Sequence, residues 1–150
     1  MIGKILMSAL FGFMALAVSA QSFAQDAEIA ERIKLMKSNS AAAKAIKSAV
    51  SKNDYATVAS KAREIANSME MKSFARLFPQ NSTSSKSRAR ADIWAKWKDF
   101  MADANDAHQK ALALAAAADA KDGAKVSAAK SDLDRACGSC HKPFRGPRKK

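Results

Sequence analysis

The run Val126-Ser127-Ala128-Ala129-Lys130-Ser131-Asp132-Leu133-Asp134-Arg135-Ala136-Cys137-Gly138-Ser139-Cys140-His141 decides how this chain folds, because it reads as one helix that ends on both cysteines of the protein. Val126, Ala129, Leu133 and Ala136 recur at steps of three and four residues, the spacing of a single helical face. Lys121 or Asp122 opens the segment, and Pro143 with Gly146-Pro147 brings it to an end. At about 100° per residue, Cys140 lies one turn beyond Cys137 and His141 projects almost between the two. All three side chains can therefore address one flat object.

A C-x-x-C-H pentapeptide is the attachment signature of a c-type haem, in which two thiols add across vinyl groups and the following imidazole ligates the iron. Other uses of the motif fit less well. A zinc site calls for a second Cys or His pair, and the chain offers only His108 besides His141. A thioredoxin-type motif follows a strand and opens a helix, whereas this one follows a long helical pattern. A disulfide between residues three apart closes a trivial loop. The expectation is one covalently attached haem c on Cys137 and Cys140, with His141 as proximal iron ligand.

Three further helical patterns precede this one, and no strand pattern competes with them in a region rich in alanine and poor in glycine. Ile29, Ile33, Met36, Ala43, Ile46 and Val50 mark a first amphipathic helix over about 27–51. Asn53 or Asp54 then caps a second, with Tyr55, Val58, Ala62, Ile65 and Met69 on one side. From about Lys72 to Arg90 the periodicity stops, and Phe78-Pro79 followed by a serine-rich run reads as a polar surface loop long enough to cover a haem. A third helix starts near Asp92 and presents Ile93, Trp94, Trp97, Phe100, Met101, Ala104, Ala111, Leu114 and Ala118. The fold class expected is all-α, an antiparallel up-down-up-down four-helix bundle. That topology brings the start of helix 1, the end of helix 2, the start of helix 3 and the end of helix 4 together around the haem.

Residues 1–24 carry one basic residue, Lys4, an apolar run from Ile5 to Val18 and a small-residue exit, the pattern of a secretory signal peptide. Cleavage after Ala24 or after Ala20 suits a peptidase that selects small side chains. The apolar core is shorter than the roughly 20 residues that span a bilayer, so no integral membrane segment is expected after cleavage. Residues 25–150 then form a single four-helix-bundle domain with a basic C-terminal tail, Arg145 to Lys150, in the periplasm, whose oxidising conditions suit the cysteine usage. The formal charge of +12 falls to +11 with the loss of Lys4. A basic surface on an exported protein favours partners with acidic docking surfaces, here periplasmic redox proteins, and no nucleic-acid motif accompanies it. No catalytic acid, base or nucleophile constellation is visible, so an enzyme is not expected. His108, in the middle of the third helix, reads as a boundary residue.

The second axial position of the iron sets the chemistry. A thioether there makes a closed, low-spin electron carrier, and an apolar residue leaves the iron open to small gases. Met36, Met69, Met71 and Met101 all fall at the haem end, and bundle geometry does not choose among them.

Arg32-Ile33-Lys34-Leu35-Met36, Phe78-Pro79, Arg90-Ala91-Asp92-Ile93-Trp94 and Cys137-x-x-Cys140-His141-x-x-Phe144-Arg145, in that order, resemble the class II c-type cytochromes, cytochrome c′ and its low-spin relatives. Cytochrome c′ is itself a standard example of the up-down bundle. The resemblance implies that Met36, four positions after Arg32, faces the distal side of the iron and, being methionine rather than leucine, ligates it as in the low-spin members. It also implies that Arg32 and Arg145 lie near the haem propionates. Trp94, Phe78, Phe100 and Phe144 are available to wall the haem, with Trp94 assigned to it, although aromatics at helical spacing equally serve a core. Bundles of this family occur as monomers and as homodimers.

The function expected from these readings is a periplasmic mono-haem c-type cytochrome transferring single electrons through a low-spin His141/Met36 haem. The alternative is a high-spin cytochrome c′ that binds nitric oxide or carbon monoxide at an open distal site. A third reading, from another class, is a haem-free helical binding or metal-chaperone protein.

Overall fold

The computed structural model describes the backbone of residues 10–148 and the side chains from residue 25 onward. The side chains of the expected signal segment, residues 1–24, lie outside the described residues. Six helices follow in order: α1 (Leu10–Val50), α2 (Tyr55–Ser68), α3 (Met71–Arg76), α4 (Asp92–Ala95), α5 (Trp97–Asp119) and α6 (Gly123–Phe144). The four long ones, α1, α2, α5 and α6, form the antiparallel bundle and α3 and α4 are short connectors. The only extended pairing among the described residues is an isolated antiparallel bridge between Ala89 and Arg145.

The two tight connections are built from local chemistry. Asp54 caps α2 by accepting the Thr57 N–H at 3.1 Å, and Asp122 caps α6 by accepting the Lys125 N–H at 3.0 Å. Each turn needs one left-handed residue, supplied by Asn53 at φ 53° and Lys121 at φ 54°. Asparagine tolerates that conformation through its short polar side chain, whereas Lys121 holds it because a capped helix follows at once.

Three sequence expectations change on contact with the structure. The stretch after Lys72 is not simply a surface loop. Glu70 caps the six-residue α3 by accepting from Lys72 and Ser73, and Phe74, Leu77, Phe78, Ser82 and Ser87 are all buried. Fewer than two helical turns leave no periodic signature to read. The third expected helix is broken at Lys96, whose φ of −124° and ψ of 46° leave the helical region and separate α4 from α5. Trp97, expected on the apolar face, is consequently exposed. The end of α6 falls in the expected stretch: Pro143 sits in its last turn and the helix stops at Phe144, where the Arg145 N–H bonds back to the His141 carbonyl at 3.1 Å. The proline's missing donor affects only the carbonyl of Ser139, an exposed residue at the helix end that water can reach.

Packing is sequential. The α2 helix packs against α1 and α5, and α5 packs against α6, but α1 and α6 make few direct contacts with each other. On α5 the buried positions are mostly alanine, Ala104, Ala107, Ala111, Ala115 and Ala118, which lets its neighbours approach closely. The α1 stripe is divided: Ile29, Ala42 and Ile46 are buried, but Ile33, Met36 and Ala43 are only half-buried. These three line the gap left between α1 and α6.

His108 joins α5 to the end of α2 through Nδ1, 2.9 Å from the Ala66 carbonyl oxygen. A carbonyl can only accept, so Nδ1 carries the proton. His108→Ala should cost about 1 kcal/mol in urea unfolding, the net worth of one partly buried hydrogen bond. A cost indistinguishable from zero would make the histidine a passive boundary residue.

Candidate haem site

A cavity of about 650 Å³ occupies the gap between α1 and α6. That size lies within the roughly 300–1,000 Å³ of small-molecule and cofactor sites. Cys137, Cys140 and His141 form its α6 wall, and Arg32, Ile33, Met36 and Ala43 line the α1 side. Ile65 of α2, Met69 at the C-terminal cap of α2, Ile93 of α4 and Phe100 of α5 line it as well, and residues 86–89 lie along it. The helical spacing that places two cysteines and a histidine together is thus matched by an apolar space for them to face.

Burial pushes the Cys140 thiol up to about 12, with Asp103 and then Cys137 adding to the effect. Cys137 is raised as well, first by burial and then by Asp134. Both sulfurs are therefore protonated S–H groups at neutral pH. His141 is held below its ordinary value, chiefly by burial and further by the positive charges of Arg145 and Arg88. A neutral imidazole keeps the ring lone pair that a metal bond requires.

Backbone pairing explains why two arginines stand beside His141. Arg90 N–H donates to the Phe144 carbonyl at 3.0 Å, and Gly146 N–H donates to the Arg88 carbonyl at 2.7 Å. Arg88 Nε donates in turn to the Gly146 carbonyl at 2.8 Å. The segment 88–90 and the chain end 144–147 are laced together in this way, and Arg88 and Arg145 both line the cavity. Sequence reading passed over Arg88, Lys86 and Ile93 as site residues. Nothing periodic marks the first two, and Ile93 stands in the sequence as a helix-face position within the Arg90–Trp94 motif.

Of the residues singled out from sequence, Cys137, Cys140, His141, Met36, Arg32 and Arg145 do meet at this cavity. Met69 joins them, while Met71 and Met101 do not line it. Trp94 is also absent from the lining. Its indole N–H donates to the Phe78 carbonyl at 3.2 Å, and Ile93, one residue or about 100° earlier, takes the cavity-facing position.

Arg32 lines the cavity with its guanidinium already hydrogen-bonded to protein. It is only 3% exposed, and its terminal nitrogens donate to the connecting segment: Nη1 to Ser82 Oγ at 2.8 Å, Nη2 to Ser87 Oγ at 3.1 Å and to the Ser82 carbonyl. The guanidinium also lies over the Phe78 ring, 5.2 Å from its centroid. The fork needed for a bidentate bond to a propionate is therefore already engaged. Only Nε is left, the one buried side-chain nitrogen or oxygen without a hydrogen-bond partner among the described residues.

The donor set fits a c-type haem: two thiols and a neutral imidazole on one wall of an apolar cavity, with an orphaned buried N–H beside it. Among the described residues no cluster of His, Cys, Asp and Glu suited to another metal is present, and no helix is long and apolar enough to cross a membrane.

Comparison with known proteins agrees. The family described as Cytochrome C′ matches residues 27–145. Cytochrome c′ of Pararhodospirillum photometricum is 38% identical over 76 residues, half of this chain and 61% of that protein. The aligned part thus spans less than two thirds of the relative. Among solved structures, cytochrome c′ from Thermochromatium tepidum superposes with a TM-score of 0.75 at 22% identity, covering 82% of this chain and 97% of the other. A ferrous variant of cytochrome c prime from Alcaligenes xylosoxidans, solved with nitric oxide bound, superposes at 0.72 and 20% identity, with 83% and 97% covered. At those identities the structural matches carry the fold alone. The family match nevertheless overturns the low-spin, methionine-ligated expectation, because it falls on cytochrome c′ itself, whose members are typically high-spin with histidine as the single axial protein ligand. Met36 keeps its place on the cavity wall as a half-buried thioether packed against the core, the gap-filling role usual for methionine.

Proposed function

This chain belongs to the cytochrome c′ family, matched over residues 27–145, and from that premise we propose that it is an exported haem protein that binds nitric oxide or carbon monoxide at an open distal position. The observation that carries the reading is the apolar cavity with Cys137, Cys140 and His141 on one wall and Ile33 and Met36 on another. Cys137 and Cys140 would hold one haem c through thioether bonds, and the His141 ring would bind its iron. When bound, that haem would supply an iron centre with one vacant axial position for a diatomic gas. Ile33 and Met36 would wall that position, excluding water and bulky ligands without occupying the iron. Arg145 and Arg88, which line the cavity on the side of His141, would pair with the propionates. Nothing in this arrangement calls for substrate turnover.

Export follows from the signal pattern in residues 1–24, and the family match begins just after it, at residue 27. Removal of that segment would leave residues 25–150 as a periplasmic domain.

Absorption spectra of the purified protein provide the test. High-spin ferric and ferrous spectra with rapid carbon monoxide uptake by the reduced form are expected, and Met36→Ala should leave the spin state unchanged. A low-spin spectrum that resists carbon monoxide and turns high-spin in Met36→Ala would overturn the open-site reading. Absence of any chain-bound haem would favour a haem-free binding protein instead.

A further inference from the structure

Two large apolar side chains are exposed among the described residues, Trp97 at 37% and Leu112 at 41%. Single exposed apolar residues are ordinary on protein surfaces. Trp97 differs from Leu112 in what lies beneath it. Its ring centroid is 5.7 Å from that of Phe100, and Phe100 is 5.2 Å from Phe144 and 4.8 Å from Phe78. Phe100, Phe144 and Phe78 all line the cavity beside the two cysteines and His141. A continuous file of aromatic rings therefore runs from solvent to the cavity wall.

The backbone also presents this residue. Lys96 breaks the helix between α4 and α5, so Ala95 to Asp99 stand out as an exposed turn with Trp97 at its centre. Lys96 and Lys98 flank the indole and outnumber Asp99 in that turn, on a chain that is strongly basic overall. An exposed tryptophan between two exposed lysines, on a strongly basic chain, is the pattern of an interface anchor for an acidic partner, with the ring supplying contact area and the charges steering encounter.

We propose that Trp97 is the contact on which an acidic one-electron carrier protein docks, and that the file Trp97–Phe100 carries its electron to the haem iron. The carrier would lose one electron and a haem held by Cys137, Cys140 and His141 would gain it, with no bond or proton transferred. Electron tunnelling falls exponentially with the width of the gaps, and the adjacent rings of Trp97 and Phe100 leave no wide gap between the surface and the cavity wall. The acceptor rests on the haem reading above, whereas the docking surface rests on the side chains alone.

The test uses the haem-loaded protein and an acidic plant-type [2Fe–2S] ferredoxin as probe. Calorimetry at low salt measures binding of oxidised ferredoxin, and stopped-flow spectroscopy measures reduction by reduced ferredoxin and, separately, by dithionite. Trp97→Ala should weaken binding and slow reduction by ferredoxin about tenfold, while dithionite reduction and carbon monoxide uptake stay at the wild-type rate. Trp97→Phe should retain most of both. Lys96→Glu with Lys98→Glu leaves the indole in place and should slow ferredoxin association and flatten its salt dependence. Wild-type binding and reduction in Trp97→Ala would overturn the proposal, as would no measurable binding of ferredoxin by the wild-type protein. Failure of the wild-type chain to retain haem would instead count against the function proposed above, and the calorimetric comparison would still decide the docking surface.

Discussion

Arg32→Ala is expected to destabilise the folded chain by about 3 kcal/mol, because it leaves several buried acceptors without a donor. The guanidinium is the peg on which the segment 77–87 hangs. Ser82 loses partners at both Oγ and its carbonyl, Ser87 Oγ loses one, and the Phe78 ring loses the cation above it. Ser82 is fully buried and Ser87 nearly so, so water cannot replace those bonds unless the segment lifts away from α1. Arg32→Lys should recover little of the loss, since a single ammonium cannot reproduce a planar fork that reaches two serines at once. Urea unfolding followed by circular dichroism measures the cost, and limited proteolysis should show cleavage moving into 77–90. A loss below about 1 kcal/mol with an unchanged digest would mean that the segment is held by its buried Phe74, Leu77 and Phe78 alone.

Cys137→Ser combined with Cys140→Ser should abolish covalently held haem completely. No other cysteine exists in the chain, so no alternative thioether can form. The measurement is haem staining after denaturing electrophoresis, supported by the mass of the denatured polypeptide. Because His141 is untouched, haem that still associates under native conditions would separate from loss of covalent attachment the contribution of the imidazole and the apolar walls. Circular dichroism of the variant checks that the bundle persists. Staining that survives in the double variant would remove the pentapeptide from the centre of the site.

The site was readable from sequence where its residues share one helix, and unreadable where they do not. Cys137, Cys140 and His141 stand within five positions of one another, so helical geometry alone brings them together. Met36 lines the cavity together with Met69, so helix placement does not single it out, and the low-spin ligation that the resemblance implies for it is overturned by the family match. Trp94 and Ile93 show the limit of a different kind. Neighbouring residues on a helix differ by about 100° in direction, and only the packing of α4 against α5 and α6 decides which of them faces inward.

The segment from Lys72 to Arg90 misled for a physical reason. Its polarity reads as solvent exposure, yet Ser82 and Ser87 are buried because a buried arginine satisfies them. Arg32 likewise reads as a charged residue beside a carboxylate, and the structure gives it serine and carbonyl oxygens instead. Neither half of that arrangement carries a local signal, since the partners lie about fifty residues apart.

By itself, then, the sequence determined the four long helical segments, the caps at Asp54 and Asp122 and the thiol–thiol–imidazole array, all of which depend on contacts within a few residues. The tertiary structure alone decided that α1 and α6 stand apart around a cavity, that Arg32 turns to the connecting segment, and that Trp97 meets solvent at one edge and the cavity's aromatic wall at the other. Those outcomes depend on how far apart packed helices are held and on where a helix breaks at Lys96, quantities set by the sum of many distant contacts rather than by any one stretch of chain.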